Sequence, residues 1–328
     1  MGMLLLTKSI FAVMLGFLTS VILGFFLIPM LKKMNVGQRI SIFVGESHKK
    51  KEGTPTMGGL IFILPTFIIT LLLIITGKIN FTSNLAIILI VFVGYALIGF
   101  IDDYLSIKKK GNEGLTTFEK LVMQLLIALA FFYLYMRNGG QTALIVSTLG
   151  INIEMGWFYG VFLLFILVGA SNAINITDGL DGLAGGLSAI AFVAFSLISL
   201  MVGFEEIGIF SFVLVGSIVA FLFYNTYPAK VFMGDTGSLA LGGVMAAIAI
   251  LTHREITLLI VAGVFVVETL SVIIQVIWLL LFKKKLFLMT PLHHHFEKLG
   301  WSEQDIVKVF WVFGFILAMA GIFFGVWL

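Results

Sequence analysis

Five of the six aspartates in the chain, Asp102, Asp103, Asp178, Asp181 and Asp235, stand where long apolar runs meet polar loops; only Asp305 lies elsewhere. Carboxylates at a bilayer boundary are costly unless they are paired, solvated or bound to a cation. A divalent ion removes the repulsion among several of them, and Mg²⁺ takes one or two carboxylates together with phosphate oxygens and water. One aspartate at a helix end is equally well read as a cap for backbone N–H groups or a solvated charge. Five of six in such places favour a shared cation.

Each aspartate sits in a distinctive stretch. Asp102 and Asp103 close the run Gly99-Phe100-Ile101-Asp102-Asp103-Tyr104. Adjacent side chains leave a helix about 100° apart, so the pair is expected to divide its roles, one on metal and one orienting a nucleophile or a lysine. From Ser171 to Gly182, Asn172, Asn175, Asp178 and Asp181 recur every third residue. That spacing makes a polar ladder on nearly one face of a helix or 3₁₀ turn, and Gly179 and Gly182 permit a tight turn and close approach of a ligand. Asp235 lies in Phe232-Met233-Gly234-Asp235-Thr236-Gly237-Ser238, just before an apolar run, where the N–H groups of a helix start attract an anion. Phe232 is a candidate platform for a base, although a lone aromatic more often packs.

Three of the five histidines form the triplet His293-His294-His295 after Pro291. The chain has no cysteine, which excludes disulfides, thiolate metal sites and cysteine nucleophiles. With no thiol and a hard-cation set of carboxylates, phosphate binding or proton transfer suits the triplet better than Zn²⁺. Lysine triplets at 49–51, 108–110 and 283–285 hold phosphates or anchor the chain to anionic lipid, and anchoring is expected for most of them. Glu268 and Gln275 share a face of one apolar run; they mark either a functional intramembrane carboxylate or a hydrogen bond to a neighbouring helix.

The elements that must position these groups are membrane spans. The chain has 328 residues, 60% hydrophobic and 11% charged, whereas soluble domains run near a quarter charged. The net charge of +3 gives no case for nucleic acid. Apolar runs of about 17 to 25 residues lie near 10–31, 59–76, 84–101, 119–136, 157–173, 183–202, 207–224, 237–252, 256–282 and 306–327. The eighth is short and the weakest of the ten. The first is too long for a signal-peptide core and is followed by Lys32 and Lys33, so it reads as a retained helix. The expected fold is therefore an all-α polytopic membrane protein, one integral-membrane domain over 1–328.

Ten spans put both termini on one side. Sixteen of the 20 Lys and Arg residues then fall in the loops of the other side, leaving Lys8, Lys78, Arg137 and Arg254. Basic loops stay in the cytoplasm, so the termini are expected outside and the aspartates at the cytoplasmic face. The outer connection at 137–156 alternates over Thr148–Glu154 and suits a small hairpin. No internal repeat or low-complexity segment is apparent.

Five stretches in order carry a resemblance. They are Gly53-Thr54-Pro55-Thr56-Met57-Gly58-Gly59, the run ending in Asp102-Asp103-Tyr104, the ladder 172–184, Phe232 to Ser238, and Pro291-Leu292-His293-His294-His295-Phe296-Glu297. Together, and with the ten-span layout, they resemble the polyprenyl-phosphate N-acetylhexosamine-1-phosphate transferases, in particular the phospho-N-acetylmuramoyl-pentapeptide transferases. The resemblance implies an enzyme of the bacterial inner membrane acting in peptidoglycan synthesis. Its substrates would be UDP-N-acetylmuramoyl-pentapeptide and undecaprenyl phosphate, and its products lipid I and UMP. It implies catalytic roles for Asp102, Asp103, Asp235 and His294, with Mg²⁺ on Asp235. It implies a nucleotide pocket at Asn175, Asp178, Asp181, Asn225 and Phe232, phosphate contacts at Lys51 and Lys110, and His293 and His295 beside the substrate; Asn172 joins them by its place in the ladder. It also implies a homodimer.

The acceptor phosphate is already ionised at neutral pH, so positioning and charge neutralisation outweigh base strength. Asp102 is expected to deprotonate or orient it, and a two-step route through an aspartyl intermediate stays open. The competing readings are an N-acetylglucosamine-1-phosphate transferase, which differs in the loop before the last span, and an ion-coupled transporter, which would place its polar groups near the bilayer midplane.

Overall fold

The computed structural model describes residues 2–34, 51, 53–109, 114–146 and 150–327. Among them are twelve helices and one hairpin: α1 (Gly2–Lys33), α2 (Leu60–Ile75), α3 (Ser83–Lys108), α4 (Thr117–Arg137), β1 (Ala143–Val146), β2 (Ile151–Glu154), α5 (Trp157–Thr177), α6 (Leu183–Met201), α7 (Glu205–Asn225), α8 (Gly234–Leu251), α9 (Glu255–Val261), α10 (Gly263–Phe282), α11 (Leu292–Lys298) and α12 (Glu303–Trp327). Nine are long and apolar enough to cross a membrane, so the chain is a multi-pass membrane protein. The run at 59–76 folds as α2, whose 16 residues span only about 24 Å.

The run at 237–252, the shortest by sequence, is the centre of the molecule. Its helix α8 begins at Gly234 and is buried along nearly its whole length, whereas α4 on the periphery is mostly exposed. Gly237, Ser238, Ala240, Gly242, Gly243, Ala246 and Ala247 give α8 a small-residue surface. Small side chains let helices approach closely where lipid supplies no hydrophobic drive between them. Helices α3 and α5 flank α8, α1 packs on α7, α7 on α6, and α6 on α12.

The run at 256–282 is two helices rather than one. The chain breaks at Ala262, which has φ −91° and ψ 17°, directly before Gly263, a residue of poor helix propensity. The hairpin forms as the alternation implied: β1 and β2 are antiparallel, from Ala143 opposite Glu154 to Val146 opposite Ile151.

The helices alternate in direction. One end of the bundle gathers the C-termini of α1, α3, α5, α7 and α10 with the N-termini of α2, α4, α6, α8 and α12. That end carries the five aspartates and, among the described residues, Lys51, Lys108, Lys109, Lys120, Lys230, Lys283, Lys284 and Lys285. Lys8, Lys78, Arg137 and Arg254 lie at the other. Lys110 falls outside the described residues.

Candidate active site

The site is built on the start of α8. Met233, the residue before the helix, offers no side-chain cap, so the first N–H groups of α8 need partners from elsewhere. Asp103 supplies them from the last turns of α3. Its Oδ2 accepts from Thr236 N at 3.0 Å and Thr236 Oγ1 at 2.6 Å, and its Oδ1 accepts from Asp235 N at 3.2 Å. The approach requires Gly99, one turn earlier on α3, because a Cβ there would collide with the Asp235 carbonyl. Asp103 thus caps one helix from another and fixes where Asp235 stands.

Asp102 points elsewhere, as adjacent positions on a helix must. Its Oδ1 accepts from Leu115 N at 2.9 Å and lies 3.2 Å from Lys120 Nζ. Lys120 also pairs with Asp235 Oδ2, and Asn175 Nδ2 donates to Asp235 Oδ1 at 2.7 Å and to Ser238 Oγ at 2.9 Å. Asp102, Asp103 and Asp235 each offer an oxygen within 4.8 Å of the others. Three carboxylates therefore converge, and one lysine bridges two of them, Asp102 and Asp235. An all-oxygen donor set with excess negative charge fits a hard divalent cation, with Asp102 and Asp235 as the better-placed ligands because Asp103 already serves α8.

The polar ladder divides where α5 ends at Thr177. Asn172 faces α4, donating to Gln124 Oε1 at 2.9 Å and to Val168 O at 2.8 Å, and is not part of the carboxylate cluster. Asn175 reaches Asp235. Asp178, just beyond the helix, is partly buried. Its carboxyl is pushed up to about 8, first by burial and then by repulsion from Asp235, Asp103 and Asp181, while Lys51 pulls the other way. Asp181 turns to a second cluster, where its Oδ1 binds Lys51 Nζ at 2.7 Å and its Oδ2 accepts from Ala229 N at 2.9 Å. Asn225 braces the same turn, accepting from Gly182 N at 3.1 Å and donating to Val231 O at 2.9 Å. The backbone of Phe232 is tied to Pro55 O and Gly58 N, both at 2.8 Å, so the glycine-rich 53–59 stretch docks beside the start of α8.

The histidines lie in the first turn of α11. His293 is fully buried: its N–H donates to Glu268 Oε1 at 3.1 Å and its Nδ1 sits 3.0 Å from Glu268 Oε2. Its Nε2 faces Gly179, where a Cβ would collide with it. His294 Nδ1 is 2.6 Å from Glu297 Oε2, and His295 Nδ1 accepts from Leu288 N at 3.2 Å. Gln275 accepts from Leu286 N at 3.0 Å and Phe287 N at 2.9 Å. Glu268 and Gln275 therefore brace the histidine loop from within α10.

Lys120, Thr236 and Ser238, and Glu303, whose Oε1 accepts from Lys51 Nζ at 2.5 Å, belong to these clusters without a motif that marks them in the sequence. Lys120 carried one legible signal. Thr116 and Glu119 form a capping box at the start of α4, which puts a lysine in the first helical turn, where the macrodipole disfavours cations. Such a lysine needs an anionic partner.

The chain matches the family described as Glycosyl transferase family 4 over residues 85–253 and the Phospho-N-acetylmuramoyl-pentapeptide-transferase signature 1 over residues 51–63. It is 49% identical over 313 residues to a phospho-N-acetylmuramoyl-pentapeptide-transferase of Bacillus mycoides (strain KBAB4), covering 95% of this chain and 96% of that one. It is 47% identical over 319 residues to the protein of the same name from Geobacillus sp. (strain WCH70), covering 97% and 98%.

Proposed function

The chain belongs to the phospho-N-acetylmuramoyl-pentapeptide-transferases of glycosyl transferase family 4, and from that premise we propose how its own residues carry out the transfer. The donor is UDP-N-acetylmuramoyl-pentapeptide and the acceptor undecaprenyl phosphate. An oxygen of the lipid phosphate attacks the β-phosphorus of the donor. The new P–O bond forms as the bond from the β-phosphorus to the bridging oxygen breaks, giving lipid I and UMP.

One observation carries this reading: Asp102, Asp103 and Asp235 each place a carboxylate oxygen within 4.8 Å of the others, beside Lys120 and Asn175. An all-oxygen cluster with that surplus of negative charge suits a divalent ion that carries a pyrophosphate.

Mg²⁺, held by Asp235 and Asp102, would neutralise the pyrophosphate and stabilise the leaving UMP. Asp102 orients the attacking phosphate and takes any proton it still carries. Asp103 keeps Asp235 in place by capping α8. Lys120 offsets charge between Asp102 and Asp235 and gives the transferred phosphate a cationic neighbour. Lys51, Asp178, Asp181, Asn225 and Phe232 form the nucleotide side, and the first turn of α11 sets His293 against the turn at Gly179, with His294 and His295 next to it. The basic loops support an inner-membrane protein with its site at the cytoplasmic face and both termini outside. The chain acts as one integral-membrane domain, and the family resemblance supports a homodimer.

The test supplies purified protein in detergent with undecaprenyl phosphate and either UDP-N-acetylmuramoyl-pentapeptide or UDP-N-acetylglucosamine. UMP release with the first donor alone is expected. Release with the second and not the first overturns the assignment.

A further inference from the structure

We propose that Glu303, in the first turn of α12, is a positioning residue for the nucleotide side of the site, acting through Lys51 and the turn at Asp181. The inference rests on the reading that this cluster receives the nucleotide. Acidic residues at a helix start are commonplace because they suit the macrodipole, and by sequence Glu303 is one of these. Its geometry is different. The capping of α12 is done by Ser302 and Asp305, with Asp305 N donating to Ser302 Oγ at 3.2 Å and Ser302 Oγ donating to Asp305 Oδ2 at 2.6 Å. Glu303 instead turns to chain segments more than a hundred residues away. Its Oε1 accepts from Lys51 Nζ at 2.5 Å and from the Asp181 backbone N–H at 2.7 Å.

These contacts make a closed triad. Lys51 Nζ also binds Asp181 Oδ1 at 2.7 Å, and only 11%, 2% and 8% of the Lys51, Asp181 and Glu303 side chains are exposed. A second tie runs from the same helix to the same turn, as Trp311 Nε1 donates to Gly182 O at 3.2 Å. Helix α12 therefore holds both the N–H of Asp181 and the carbonyl of Gly182. Asp181 has both oxygens engaged, by Lys51 and Ala229 N. Glu303 Oε2 is buried with no hydrogen-bond partner. Two buried carboxylates thus face one ammonium, and a buried acceptor left unmatched costs free energy. A purely structural tie would be better served by a neutral acceptor. The arrangement instead holds the Lys51 ammonium and the turn at Asp181 in one fixed geometry, as a group that must meet a nucleotide phosphate requires.

The experiment measures UMP binding to the full-length protein in detergent by isothermal titration calorimetry, with KM and kcat for the sugar nucleotide alongside. Lys51→Met and Glu303→Ala are each expected to weaken UMP by about tenfold or more, raising KM with little change in kcat. The double variant is expected to be no weaker than the single ones, because the two residues act as a unit. Glu303→Gln keeps the Oε1 acceptor for Asp181 N–H and is expected to recover part of the affinity; it also serves if the alanine variant does not fold. Unchanged UMP affinity in both Glu303 variants while Lys51→Met weakens it, or additive losses in the double variant, overturns the role of Glu303. Absence of UMP binding by the wild type, or full binding by Lys51→Met, overturns the nucleotide reading itself.

Discussion

The two ends of the helix bundle treat their carboxylates differently. At the end opposite the site, Glu205, Glu206 and Glu255 each have their own donor. Glu255 is 2% exposed and accepts from Tyr159 Oη at 2.5 Å; Glu205 pairs with Lys8 at 2.6 Å, and Glu206 accepts from Thr82 Oγ1 at 2.9 Å. Arg254 is engaged by the carbonyls of Gly325 and His253. At the other end, Asp102, Asp103 and Asp235 converge on one another with Lys120 paired to two of them, Asp102 and Asp235, and Asp178 is close enough to feel Asp235 and Asp103. One-to-one pairing stabilises a fold. A surplus of carboxylates over cations destabilises it, and persists where a bound ion or a transferred phosphate uses that charge.

The contrast can be broken by four variants. Asp235→Asn removes the residue at the centre of the cluster and is expected to lower turnover about a thousandfold, measured as UMP release, with the protein still folded by thermal melt. Lys120→Met, which leaves Asp102 and Asp235 facing each other, is expected to lower it about a hundredfold. Asp178→Asn should matter less at neutral pH. Without a divalent ion the Asp178 carboxyl is pushed up to about 8, first by burial, so the amide mimics the neutral form. UMP binding measured without added divalent ion should therefore match in wild type and variant below pH 7 and separate above pH 8, and a gap that closes as pH rises contradicts the assignment. Tyr159→Phe, at the opposite end, should leave turnover unchanged while lowering stability by about 1–3 kcal/mol, because Glu255 loses its donor. Loss of turnover there with stability intact would erase the distinction between the ends.

Much of this was legible in the sequence. Hydropathy and the bias of Lys and Arg marked every apolar segment and grouped the aspartates at one end, because lipid forces long apolar runs and charges can sit only at their margins. Pairing was not legible. That Asp103 caps α8 depends on α3 lying beside α8, and that Asn172 turns to Gln124 depends on α4 lying beside α5; neighbour relations among helices leave no local pattern. The three-residue ladder implied one face, yet α5 stops at Thr177, so Asp178 and Asp181 point to different clusters. The shortest apolar run proved the most buried because its small residues lower hydropathy while permitting close packing. The break at Ala262 was masked by unbroken apolar sequence on both sides.

The central claim is that Asp235 anchors one divalent ion among the three carboxylates, and Mn²⁺ binding followed by electron paramagnetic resonance tests it most directly. Titration of the purified protein should show one tightly bound Mn²⁺ per chain, displaced by Mg²⁺ and lost in Asp235→Asn. Equal Mn²⁺ binding in the wild type and in Asp235→Asn would contradict the account.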